Sequence, residues 1–286
     1  MTKRFSFPIV ISFLFAFASL AVASDLALYT GPTNPGWISP VAVEVTADMI
    51  MKDPKIKSTY KKIDNFGDGD EVGDSSPLAK WTKAHTGNKE IDVIVLVCGT
   101  TPSGLYPFPN KQPDGSNVEK FIEDGNILIN IADWIFYMSY EGGVRSADNG
   151  PSGAANVFDI PGLSFGSRNN NMKVNANGKK YLPSLTDFTS DRPWHLEQFK
   201  GTDWEVTTFA EAGANDADPA VAVNKKYGGI IAALMQKAAP TWPEGDEHRA
   251  KVLIEFMNNW LLEHAELKPV DSKDKLTTTW GEIKSQ

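Results

Sequence analysis

The sequence is poor in cysteine, histidine and positive charge. A single cysteine among 286 residues excludes an internal disulfide framework and a cysteine-rich zinc module. Lysines and arginines number 28 against 36 aspartates and glutamates, giving a net charge of −8 and a pI near 5.1. That balance lacks the basic footprint that nucleic acids and anionic membranes require of a partner. Beyond residue 22 no apolar run is long enough to cross a bilayer. No sequence repeat recurs at a fixed period, which argues against a solenoid. What is present is 41% hydrophobic and 22% charged, with 23 Gly and 18 Pro. Such a composition excludes a disordered chain, a collagen and a coiled coil. The length allows one large domain or two small ones, with enough chain to bury a core.

The first residues read as an address. Lys3 and Arg4 precede an apolar stretch over 5–22, and Ala21, Val22 and Ala23 form a small-residue cleavage site. This is the layout of a secretory signal peptide. The alternative is a membrane-spanning helix, against which Pro8 and the abrupt change to Ser24 and Asp25 both argue. No cysteine follows the run, so lipoprotein anchoring is excluded. The expected division is a signal peptide over 1–23, an α/β domain over 24–264 and a polar tail over 265–286. The expected location is secreted or periplasmic.

In the mature chain, LALYT at 26–30 reads as a buried strand. Ser39-Pro40 opens a helix as N-cap and first helical residue, with Val41, Val45 and Met49 as its apolar face. Residues 56–63 are a Lys-rich strand candidate. Ser76-Pro77 repeats the cap signal, ahead of Leu78 and Trp81. The run IDVIVLV at 91–97 has the continuous β-branched character of a central parallel strand covered on both faces. Ser116 and Glu119 make a capping box, and NILINI at 126–131 is the next buried strand. Strands beginning near 26, 59, 92 and 126 are spaced like βαβ units and predict a mainly parallel sheet. Residues 138–200 are rich in Gly, Pro and Asn and read as an irregular surface insertion. Order returns at 204–209, then at 220–224 and 229–234, which flank a Gly-Gly turn like a hairpin. The last helix spans 246–264 and carries a strong apolar stripe.

Ligands of an open parallel sheet bind outside the carboxyl ends of its strands. Four loops belong there, at 31–37, 64–74, 98–104 and 132–134. The second carries five acids and no base. Asp68, Asp70 and Asp74 could hold a divalent cation such as calcium, or the loop is a solvated turn. Its spacing does not fit an EF-hand. In the third loop, Gly99, Thr100 and Thr101 offer backbone amides and hydroxyls to a small polar ligand. No lysine follows as a nucleotide-binding P-loop requires. Cys98 needs a base to act as a nucleophile, His195 being the best placed, and otherwise is a packing residue. Asp133 and His195 are candidate general acid and base. Trp134, like Trp37 and Trp194, either stacks on a sugar ring or belongs to the core.

The run at 91–97, followed by VEKFIEDGNILI at 118–129, resembles the class I glutamine amidotransferase-like superfamily, in its trehalose-utilisation-like branch. Residues 204–232 resemble the closing strands of that family and 250–260 its final helix. The resemblance implies a flavodoxin-like three-layer α/β sandwich. It also implies a Gly-x-Cys-x-Gly elbow after the strand at 126–131, where this chain reads Asn130, Ile131, Ala132, Asp133 and Trp134. The thiol is absent there, and Cys98 lies one strand too early to replace it. The expected function is an extracytoplasmic domain without glutaminase activity that binds a small polar ligand such as carbohydrate. The alternatives are a sugar-directed hydrolase or isomerase using Asp133 and His195, and a structural or interaction module whose polar tail docks a protein partner.

Overall fold

Four helices begin with the same local chemistry. In the computed structural model, α1 (Pro40–Lys52), α2 (Pro54–Thr59), α3 (Pro77–Ala84) and α4 (Asn117–Glu123) follow the caps Ser39, Asp53, Ser76 and Ser116. Each cap side chain accepts a backbone N–H of the first turn, and Ser116 with Glu119 completes the capping box. The structure describes residues 24–67, 73–141, 144–145, 149–166, 170–242, 244–265 and 267. The signal peptide expected over 1–23 and nearly all of the tail lie outside them.

Seven strands form the main sheet: β1 (Asp25–Tyr29), β2 (Lys62–Asn65), β3 (Val93–Leu96), β4 (Ile127–Ile131), β5 (Trp204–Thr208), β6 (Ala220–Asn224) and β7 (Ile230–Leu234). Their spatial order is β5-β6-β7-β4-β3-β1-β2. The five strands from β7 to β2 are parallel, while β6 and β5 are antiparallel additions. Every residue of β3, β4 and β7 is buried, as expected of strands covered on both faces. Helix α1 packs on α2 and on α7 (Asp246–Glu255), and α3 packs on α4. The result is a three-layer flavodoxin-like sandwich. A π-helical stretch, Phe256–Leu261, continues α7 and stacks Phe256 on Trp260. Among the described residues no helix is long and apolar enough to cross a membrane.

Several local expectations are corrected. Residues 56–63 are not one strand: Asp53-Pro54 repeats the cap-and-proline signal and makes α2, so β2 starts only at Lys62. The buried face of α1 is Ala42, Val43, Thr46, Ala47 and Ile50, while Val41 is 63% exposed. The insertion over 138–200 is not a surface loop. It supplies α5 (Pro151–Val157), α6 (Ala176–Tyr181) and three strands of a second, five-stranded sheet, Asn170–Val174, Phe188–Ser190 and Trp194–His195. Phe158, Phe165 and Trp194 from this region are fully buried. The packed body also passes 264, since Ala265 and Leu267 are buried.

Candidate functional site

The strand order reverses direction at β1. Strand β2 lies on one side of it and β3 on the other, the arrangement that places a ligand crevice beyond the carboxyl ends, and a cavity lined by Thr30, Gly31, Pro32, Asn65 and α1 lies beside the ends of β1 and β2. Short polar loops follow β1, β3, β4 and β7 at this edge. Thr100 Oγ1 donates to the Pro32 carbonyl at 2.8 Å and ties the β3 loop to the β1 loop. Gly99 has φ +73°, and a side chain there would meet the Ile131 carbonyl at 2.7 Å and Asp133 Cβ at 2.8 Å. The glycine is therefore required by the close approach of the β3 and β4 loops.

Strand β4 ends in a strained turn. Ala132 has φ +70°, and Asp133 N donates to the Ile131 carbonyl at 2.8 Å. This is a tight three-residue turn in the left-handed region, which disfavours non-glycine residues by about 1–2 kcal/mol. The residue at its tip is a buried alanine with no nucleophilic atom. The turn directs the next two side chains. Asp133 is buried; its Oδ1 accepts from Trp134 N at 2.7 Å and its Oδ2 from Asn34 Nδ2 at 3.4 Å. Trp134 stacks on Tyr137 at 4.1 Å.

Arg192 brings two loops together. Its Cζ lies 5.0 Å from the Trp134 ring and 5.3 Å from the Trp37 ring, within cation–π range. Gln236, just after β7, donates from Nε2 to the Arg192 carbonyl at 2.6 Å. Three buried polar atoms here have no hydrogen-bond partner among the described residues: Trp134 Nε1, Arg192 Nε and Gln236 Oε1.

A buried polar layer supports these groups. Asp191 accepts from Lys237 Nζ at 2.7 Å and from Ala238 N at 2.9 Å. Arg249, 2% exposed, donates to the Lys237 carbonyl at 2.8 Å and to the Trp37 carbonyl at 3.2 Å, and lies over Trp242. Asp218 accepts from Ser190 Oγ at 2.6 Å, Met235 N at 2.7 Å and Gln236 N at 2.8 Å. Burial lowers Arg249 to about 10, opposed by Asp246 and Asp218.

Burial raises the Asp218 carboxyl from 3.8 to about 7, against the pull of its hydrogen bonds and of Arg249. Unfolded aspartate releases its proton near pH 4, so folding takes one up between about pH 4 and 7. The Asp218 contribution to stability therefore falls as pH rises through that window, by about 1.4 kcal/mol per pH unit. Urea denaturation from pH 4 to 8 should show the wild type losing stability relative to Asp218→Asn. Parallel profiles would exclude Asp218 as a group titrating in this range.

The residues named from sequence are distributed unequally. Gly99, Thr100, Asp133 and Trp134 share the carboxyl edge. Thr101 is buried in a short strand with its backbone on Met138, and its Oγ1 has no partner among the described residues. His195 lies in the second sheet, buried, with Nε2 against the Gly166 carbonyl at 3.3 Å. Asp133 follows β4 of the main sheet, whereas His195 belongs to the second sheet. Asp68 and Asp70 lie outside the described residues. Asp74 is engaged by Lys83 at 2.6 Å and by Asn117 at 3.1 Å. Among the described residues no group of three His, Cys, Asp or Glu is arranged to hold a metal ion.

Cys98 is fully buried, its Sγ 3.1 Å from Thr100 Oγ1, and burial pushes the thiol up to about 11. A thiol so placed is a packing residue. It should resist a disulfide reagent at pH 8 in the native protein and react fully in urea. Rapid native labelling would show the β3 loop to be open.

The sequence reading singles out Trp37 but not Asn34, Arg192, Gln236, Asp218 or Arg249. One signal for them exists: the polar stretch Gln236-Lys237 directly follows a buried strand and so must stand at the carboxyl edge.

No family model matches the chain, and no curated protein matches it. Among solved structures it is similar to a ThuA-like protein from Bacteroides uniformis, at 12% identity and a TM-score of 0.39, over 85% of this chain and 93% of that one. The architecture stated above rests on the strand order and register, not on that likeness.

Proposed function

We propose that the chain is an extracytoplasmic, amidotransferase-like domain without glutaminase activity that binds a small polar ligand, such as a carbohydrate, at the carboxyl edge of its sheet. The observation that carries this reading is a set of buried atoms around Arg192 with no partner among the described residues: two donors, Trp134 Nε1 and Arg192 Nε, and one acceptor, Gln236 Oε1. Leaving such groups unsatisfied costs about 1–3 kcal/mol each. A hydroxyl both donates and accepts, so a polyol suits a mixed set of this kind. The alanine at the tip of the β4 turn and the buried Cys98 support the absence of a thiolate mechanism.

The test has two arms. Neutral and acidic monosaccharides at millimolar concentration should raise Tm saturably and change the indole fluorescence of Trp37 and Trp134. Incubation with glutamine should release no ammonia above the blank. If no sugar binds, the ligand assignment fails; if glutamine is hydrolysed, the non-glutaminase assignment fails.

A further inference from the structure

Among the described residues, Asp191, Asp218, Asp133 and Arg249 at the carboxyl edge all have hydrogen-bond partners that fix them, and Arg192 differs. Asp191 is held by Lys237 Nζ and Ala238 N. Asp218 is held by Ser190 and two backbone amides. Asp133 accepts from Trp134 N and Asn34. Arg249 spans two carbonyls. The Arg192 guanidinium makes, among the described residues, a 3.3 Å bond from Nη1 to the Asp191 carbonyl and no bond to a carboxylate. Its Nε is buried with no partner among the described residues.

The flanking indoles stabilise the cation through their faces, but they cannot accept its in-plane N–H bonds. The unused edge, Nε with Nη2, is the edge that a carboxylate meets with two parallel hydrogen bonds. The backbone behind it is already fixed. Gln236 Nε2 holds the Arg192 carbonyl at 2.6 Å, and Asp191 N donates to the Gln236 carbonyl at 3.0 Å. An anion would therefore meet an ordered guanidinium, which lowers the entropy lost on binding. Asp133 at the same edge disfavours a ligand charged throughout and favours one carboxylate among hydroxyls.

We infer that the ligand is a sugar acid or related hydroxy acid, its carboxylate received by Arg192 and a hydroxyl by Gln236. This rests on the carboxyl edge being a polar-ligand site.

The experiment titrates the folded chain with two matched pairs, D-glucuronate against D-glucose and D-gluconate against D-glucitol, following indole fluorescence and Tm. In the wild type the acid of each pair should bind about tenfold or more tightly than its neutral partner, and added salt should weaken the acids alone. Arg192→Gln should abolish the preference, and Arg192→Lys, which keeps the charge without the two-pronged edge, should retain part of it. Equal binding of acid and neutral members overturns the carboxylate assignment while leaving the polar-ligand site standing. A preference that survives Arg192→Gln overturns the role of Arg192. Binding of neither pair overturns the site and this inference together.

Discussion

Replacing Arg249 by methionine should destabilise the domain by about 3–5 kcal/mol. The methionine fills a similar space but supplies no donor. The carbonyls of Trp37 and Lys237 each lose a hydrogen bond, and Asp218 loses the cation that opposes its desolvation. Trp242 loses the guanidinium over its ring. These contacts join the β1 loop, the β7 loop and the helix that carries Arg249, so the damage should not stay local. Equilibrium urea unfolding should show the lower midpoint, and native fluorescence should shift because Trp37 and Trp242 both change surroundings. Arg249→Lys should recover little, since an ammonium lacks the planar reach to span two carbonyls. A loss below about 1 kcal/mol would place this arginine among ordinary exposed polar contacts.

Phe158→Ala should have an effect of the same size, about 3–5 kcal/mol, by a different route. The Phe158 ring is surrounded by Trp204 at 4.9 Å, Phe199 at 5.6 Å, Trp194 at 5.8 Å and Phe165 at 6.3 Å. Its carbonyl also accepts from Trp204 Nε1 at 2.8 Å. Trp204 begins β5 of the main sheet and Trp194 belongs to the second sheet, so one ring holds both. Truncation leaves a cavity among rigid rings that relax poorly. Far-UV circular dichroism and tryptophan fluorescence should report a single, coincident transition at lower urea. If fluorescence melts first while the far-UV signal persists, the second sheet unfolds independently of the main one.

The parallel half of the sheet was legible because its evidence is local. Strand β3 is a continuous apolar run and β4 is one broken only by Asn130, and Ser39, Ser76 and Ser116 carry their caps within three residues. Asp53-Pro54 carries the same cap-and-proline signal, but the Ile and Lys pattern after it resembles a strand over 56–63. The buried face of α1 lies one position along from the expected stripe, at Ala42, Thr46 and Ile50, because alanine and threonine give a weaker apolar signal than the valines and methionine beside them. The middle of the chain was opaque for another reason. Its strands are two to five residues long and gain order from partners far away, as Trp194 does from the Ala233 carbonyl.

The site was half legible. Asp133 and Trp134 follow an obvious strand, and strand order alone puts them at the ligand edge. Arg192 could not be found in that way, because only the folded chain carries it to Trp37 and Trp134, more than fifty positions distant. Arg249 and Asp218 are hidden for the same reason, each serving segments remote in sequence.

The turn at Ala132 has a consequence for how this chain can vary. Its backbone lies in a region that disfavours β-branched residues, and its methyl is fully buried. Position 132 should thus draw on a very small alphabet, glycine and alanine first, in any descendant that keeps the fold. Positions 133 and 134 are under no such backbone restriction. A fixed pivot followed by two exchangeable side chains lets the chemistry of the edge drift while its direction is inherited unchanged.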